Sequence, residues 1–272
     1  MKLSLTDEQT MIQDMACRFA ETILEPAATA LDRGDDKPAE RTLFLHNLKQ
    51  LAELGFMGLN VKSKYGGSDA GVVAFSLAIT EVARVCASTA VTMSVTNMVG
   101  EVIQAIASEE QKQRYLPKLC SGDYAAGGFC LSEAGVGSDP AGMKTSAVLE
   151  NNEWVLNGTK MWISSAEYAG IFVICAVTDP MAAKGKGISC FLVEAGTPGL
   201  IIGKAEEKMG QHGSATNTVI FDDCRIPKSA LMGELNDGFR IALSELSGGR
   251  IGIGSLALGI GQSAMDYARK YT

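Results

Sequence analysis

Apolar and polar positions recur along this chain with two different periods, and the change of period divides it. Thr6 and Gln9 form a capping-box pattern, after which Met11, Ile12, Met15, Ala16, Phe19 and Ile23 recur at helical spacing. An amphipathic helix therefore opens the chain. Leu45, Leu48, Leu51 and Leu54 predict a second helix stopping at Gly55, and Tyr65-Gly66-Gly67 marks a loop. Helices over Val72 to Val85 and Thr89 to Ala107 are apolar on most faces, as expected inside a bundle, and Ser108 with Gln111 caps another ending near Pro117. The chain up to about residue 120 reads as helical throughout.

After Ser121-Gly122-Asp123 the period shortens. Trp154-Val155-Leu156 and Lys160-Met161-Trp162-Ile163-Ser164 flank Asn157-Gly158 and predict a hairpin around an Asn-Gly turn. β-Rich runs continue at Ile171 to Val177, Ile188 to Val193 and Thr218 to Phe221, punctuated by turns such as Thr197-Pro198-Gly199. Helical spacing returns from Asp237 through Phe239, Ile241, Leu243 and Leu246 and persists to the last residues. The expected class is α+β rather than a doubly wound parallel sheet, because strands and helices do not alternate. It comprises a helical N-terminal domain (residues 1–120), an antiparallel β-barrel-like middle domain (121–232), and the first helix of an incomplete C-terminal helical bundle (233–272).

Composition narrows the function. With 272 residues, 46% of them hydrophobic, the chain can bury a sizeable core. The weakly polar run from 86 to 107 is interrupted by Thr89, Thr92, Asn97, Glu101 and Gln104, which predicts a buried helix and no membrane span. Met1-Lys2-Leu3-Ser4-Leu5-Thr6 has neither the apolar core nor the small-residue cleavage site of a secretory signal. Seven cysteines without a C-x-x-C pair suit reduced thiols, so the expected location is the cytoplasm, or the mitochondrial matrix of a eukaryote. A net charge of -7 with scattered basic residues offers no stripe for nucleic acid. His46 and His212 stand alone, leaving little material for a zinc site or a Ser-His-Asp triad. Metal-free chemistry or an organic cofactor is favoured.

Gly252-x-Gly254-x-x-Ala257 and Gly259-x-Gly261-x-x-Ala264 both fit the loose dinucleotide pattern, yet neither follows a predicted strand. They read instead as small-residue stripes that let a neighbouring helix approach. Gly135-Val136-Gly137-Ser138-Asp139-Pro140 fails the same fingerprint at its proline. It offers glycine-rich backbone beside a hydroxyl, which suits either amide contacts to an anion or polar ring or a plain surface turn. By themselves Trp162 reads as sheet core and Arg250 as a solvated charge.

The segment Phe129-Cys130-Leu131-Ser132-Glu133-Ala134-Gly135-Val136-Gly137-Ser138-Asp139 resembles the flavin-binding signature of acyl-CoA dehydrogenases. Tyr65-Gly66-Gly67, Tyr115-Leu116-Pro117, Asn157 to Ser164, Lys208-Met209-Gly210, Phe221 to Pro227 and Gly248 to Ile253 are similar to further segments of that family, in its order. The resemblance implies FAD held between the β-domain and the C-terminal helices, and dehydrogenation of an acyl-CoA thioester to a trans-2-enoyl-CoA. It also implies a role in fatty acid metabolism, electron transfer to an electron-transfer flavoprotein, and a homotetramer. Phe129, Cys130, Leu131 and Ser132 would meet the flavin's polar edge, with the Ser132 hydroxyl near the nitrogen that accepts hydride. Gly137 and Ser138 would continue that loop, and Trp162, Ile163 and Ser164 would lie against the ring and its edge.

Ser138 would also touch the CoA portion of the substrate, and Arg250 would lie near thioester or pantetheine. Ser247 stands where short- and medium-chain members usually carry an aspartate that bonds the substrate amide. Branched-chain and long-chain members carry the catalytic glutamate immediately before that arginine, where this chain has Gly249. The base is therefore expected after Thr272, no catalytic residue is expected within this chain, and the chain alone is expected to be inactive. Glu133 belongs to the flavin loop and Glu245 lies more than a helical turn from Arg250, so neither is expected to substitute. Met93-Ser94-Val95-Thr96-Asn97 resembles short-chain members, pointing to short or branched acyl groups. Two alternatives stay open: an acyl-CoA oxidase, which would release peroxide, and a non-catalytic FAD- or CoA-binding module, whose flavin no acyl-CoA would bleach.

Overall fold

The computed structural model describes residues 4–33 and 37–272; Met1-Lys2-Leu3 of the leader reading lies outside the described residues. Helix α1 (Asp7–Phe19) starts on the capping box of Thr6 and Gln9, continues through a π-turn (Ala20–Leu24) and becomes α2 (Glu25–Arg33). The π-turn lies directly ahead of Pro26, whose missing N–H removes one α-helical bond. Helix α3 (Lys37–Glu53) ends at Gly55, which takes a left-handed φ of 79°. Helices α4 (Gly71–Val85), α5 (Ala87–Ile106) and α6 (Glu109–Cys120) follow, α6 on the Ser108–Gln111 capping box.

Helix α5 is the buried helix its sequence predicts. Its polar positions face inward and are satisfied there: Asn97 accepts from Leu59 N (2.7 Å) and donates to Phe56 O (2.8 Å) and Met93 O (2.9 Å). Thr92 Oγ1 lies 3.0 Å from both Ser165 Oγ and Ser214 Oγ, joining this helix to two separate points beyond it. No helix among the described residues is long and apolar enough to cross a membrane.

The sheet contains β1 (Ala126–Cys130), β2 (Ser146–Glu150), β3 (Glu153–Ser164), β4 (Ala169–Val177), β5 (Ile188–Glu194), β6 (Leu200–Ala205), β7 (Thr216–Pro227) and β8 (Leu231–Met232). Its order is β6-β7-β3-β2-β4-β5-β8, with β1 on β4. The expected antiparallel barrel is corrected in two respects. The sheet is open, and it is mixed, because β1 runs parallel to β4 from Ala126↔Ala169 to Cys130↔Ile174. Strand β4 is buried on both faces, which explains its unbroken apolar run. Ile171, Val173 and Cys175 pack with α5 and α6, whereas Phe172, Ile174 and Ala176 pack with β3 and β7.

The Asn157-Gly158 hairpin is also corrected, because both residues lie inside β3, an unbroken 12-residue strand. The turn is made upstream by Asn151 (φ 49°) and Asn152 (φ 71°), which join β2 to β3. Asn157 instead exchanges side-chain bonds with β7, donating to Asp223 Oδ1 (3.0 Å) and accepting from Asp223 N (2.9 Å). Gly158 (φ 146°) takes up the register shift beside it, where a Cβ would stand 2.6 Å from Thr145 Cα.

Helix α7 (Gly238–Tyr271) returns across α4 and α5. Only half of the glycine stripe makes the contact. A Cβ on Gly252 would stand 2.1 Å from Ser94 Oγ and one on Gly259 2.3 Å from Thr80 O, whereas Gly254 and Gly261 have nothing within 4 Å.

Candidate functional site

After β1 the chain leaves the sheet at Leu131 and turns through Glu133 to Val136, whose backbone groups bond each other at 3.3 and 3.0 Å. Ser132 O accepts from Met161 N at 2.9 Å, so this loop lies against the end of β3. There the ladder of β3 slips between Lys160 and Ile163, and Trp162 takes a left-handed φ of 58°. A bulky aromatic side chain is strained in that region. The slip breaks the in-and-out alternation: Lys160 and Ile163 are both buried, and the Trp162 indole between them is 53% exposed. The sheet-core reading therefore fails for Trp162. It fits Trp154, which is 5% exposed and meets Phe191 edge-on with centroids 5.2 Å apart.

Phe129 to Ser132 and Trp162 to Ser164 thus come together on one surface. Cys130, Leu131 and Ile163 are buried, Cys130 inside the β1–β4 ladder, where burial pushes its thiol well up, so the surface itself is made by Ser132, Trp162 and Ser164. Among the described residues the Ser132, Ser138 and Ser164 hydroxyls have no hydrogen-bond partner. Gly135 and Gly137 have open space where a side chain would stand. An exposed indole held in a strained conformation, beside free hydroxyls and bare backbone, fits a flat ring with a polar edge.

The most buried charges lie beneath this surface. Lys160 is wholly buried, and its ammonium donates to Glu133 Oε1 (2.8 Å) and Leu131 O (3.1 Å). Glu133 also accepts from Lys144 N (2.7 Å) and Thr145 N (3.0 Å). Burial alone would raise its carboxyl, but the Lys160 bond and charge and the two amides outweigh it and hold it below the usual range. Sequence reading missed this pair. The signal available was parity, since Lys160 shares the inward face of β3 with Trp154 and Leu156.

Arg250 and Ser247 lie apart on α7. Arg250 borders a cavity of about 300 Å³ with Met98, Leu246, Gly249 and Ile253, and Ser247 Oγ donates to Leu243 O (3.2 Å). A Cβ on Gly249 would stand 2.8 Å from Met98 Sδ, so the thioether occupies the room a side chain there would need. Glu245 has a buried, unpartnered Oε1, and burial, reinforced by Glu101, pushes its carboxyl up to about 8.

Residues 6–123 match the family model for the acyl-CoA dehydrogenase N-terminal domain, and residues 128–224 match that for the middle domain. The chain is 43% identical over 274 residues to acryloyl-CoA reductase (NADH) of Anaerotignum propionicum, covering 100% of this chain and 67% of that protein. It is 43% identical over 271 residues to the mitochondrial short-chain specific acyl-CoA dehydrogenase of Homo sapiens, covering 99% and 64%. A chain in the solved structure reported for the electron transferring flavoprotein of Acidaminococcus fermentans superposes with a TM-score of 0.93 at 38% identity, covering 100% and 70%. This chain thus spans about two thirds of the length of its relatives.

Proposed function

Because the chain belongs to the acyl-CoA dehydrogenase family, we propose that it forms the FAD- and acyl-CoA-binding part of a short-chain α,β-dehydrogenase. The observation that carries this reading is the surface shared by the free Ser132 and Ser164 hydroxyls and the outward, left-handed Trp162. The two hydroxyls and the neighbouring backbone would hold the polar edge of the flavin, and the indole would cover part of the ring. Bound there, FAD supplies the acceptor for the hydride that leaves the substrate's β-carbon.

Ser138 and Arg250 would hold the CoA arm. Ser247 supplies a hydroxyl where a charged acceptor would be stronger. The α-proton would go to a carboxylate outside these residues, because Gly249 has no side chain, Glu133 is committed to Lys160, and Glu245 lies more than a helical turn from Arg250. Electrons then pass to an electron-transfer flavoprotein, a partner supported by the Acidaminococcus neighbour. The proposed assembly is a homotetramer in the cytoplasm or matrix, with the chain divided at residues 120 and 232.

Titration of the purified chain with FAD and then butyryl-CoA tests this. The expected result is uptake of FAD and perturbation of its visible band by butyryl-CoA, without dye reduction. Failure to take up FAD would overturn the binding reading, and appreciable turnover would overturn the assignment of the base. The likeness to acryloyl-CoA reductase (NADH) favours a second reading, enoyl-CoA reduction over the same surface. Stronger perturbation by acryloyl-CoA than by butyryl-CoA would select it.

A further inference from the structure

We propose that Lys160 and Glu133 are positioning residues that set the spacing between the two halves of the cofactor surface, the loop after β1 and the bulge at the end of β3. The proposal rests on the reading of that surface as the flavin site. Ser132 lies between Leu131 and Glu133, both of which the Lys160 ammonium grips, and Trp162 lies just beyond Lys160 in β3. The same ammonium lies 3.7 Å from Met143 Sδ, and Glu133 takes the amides of Lys144 and Thr145, so the segment ahead of β2 joins the contact.

A stability role alone does not account for this pair. Removing a lysine and a glutamate from water is costly, and well-packed apolar residues commonly serve stability as well or better. An ion pair with directional bonds to a carbonyl and two amides does what apolar packing does not: it fixes separations. The segments it fixes are 27 residues apart in the chain, and the direct backbone bond between them is Met161 N to Ser132 O.

The test compares the wild-type chain with Lys160→Met/Glu133→Gln, which removes both charges while keeping volume, and with Lys160→Met, which strands the carboxylate. Hydrogen exchange of individual amides is read by NMR, together with FAD titration and the circular dichroism of bound flavin. In the double variant the Met161 and Val136 amides should exchange about tenfold faster. The β4–β5 amides Val173 and Leu192 should not change. FAD should bind about tenfold more weakly with an altered flavin dichroism. Unchanged exchange at Met161 would overturn the proposal. So would a uniform rise at every amide, including a failure to fold, since the pair would then be a stability element alone. If the wild type takes up no FAD, the functional reading fails while the exchange comparison still decides the pair.

Discussion

Replacing Gly259 by alanine should destabilise the chain, whereas the same change at Gly261, on the same helix, should stabilise it. An alanine Cβ at 259 would stand 2.3 Å from the Thr80 carbonyl oxygen, 2.8 Å from Ala83 Cβ and 3.1 Å from Arg84 N. Two of these three atoms are backbone, so no change of rotamer relieves the clash, and α7 must move off α4. Overpacking of this kind costs about 1–3 kcal/mol. The gain in helix propensity, about 1 kcal/mol, offsets part of that and leaves a net loss of up to about 2 kcal/mol. Gly261 has no atom within 4 Å of its would-be Cβ, so there only the gain remains, about 0.5–1 kcal/mol. Urea denaturation followed by far-ultraviolet circular dichroism, with the slope m unchanged, reads both values. Effects of the same sign at the two positions, or stabilisation by Gly259→Ala, would refute the view that close helix contact explains this glycine.

Trp162→Gly should leave stability unchanged or raise it by about 1–2 kcal/mol through release of the left-handed tryptophan, while lowering FAD uptake. Trp154→Ala should instead cost about 3–5 kcal/mol, because its ring is core; thermal unfolding with FAD titration separates the two cases. Glu245 makes stability depend on pH. Its folded carboxyl titrates at about 8 against an ordinary 4.5, so the native state holds a proton that the unfolded state has released, and stability falls as pH rises through that window. The ceiling is about 5 kcal/mol, reduced by the partial contact of Glu245 with water. Glu245→Gln should flatten urea midpoints measured between about pH 5 and pH 9, and a slope equal to that of the wild type would assign the effect elsewhere.

The helices were legible where local chemistry and burial agree, as at the two capping boxes and the Gly55 stop. The sheet was harder because its strongest local signals serve other ends. Asn157-Gly158 carries the turn signature, but long-range pairing with Asp223 holds it in mid-strand, and the less conspicuous Asn151-Asn152 makes the hairpin. Strand β1 escaped notice because Gly127 and Gly128 weaken a strand pattern. Each is small because Cβ atoms there would stand 2.8 Å from Val99 Cβ and 2.5 Å from Phe172 Cδ1. At the candidate site, the family resemblance singled out Trp162, Ser132 and Ser164, whereas periodicity would have sent Trp162 inward. The slip of β3 that turns it outward depends on pairing with β7, which lies more than 50 residues away.

The hydroxyl cluster of Thr92, Ser165 and Ser214 has a consequence for how the molecule comes apart. A protease that nicked the exposed connection near Ser121 and Asp123 would not release two pieces, because α5 would stay tied to both ends of the Ser165–Ser214 region and keep its side of β4 covered. The cut protein should migrate as one particle and melt in one transition. The point where the period of the sequence changes is a seam in composition, and mechanically it is not a joint.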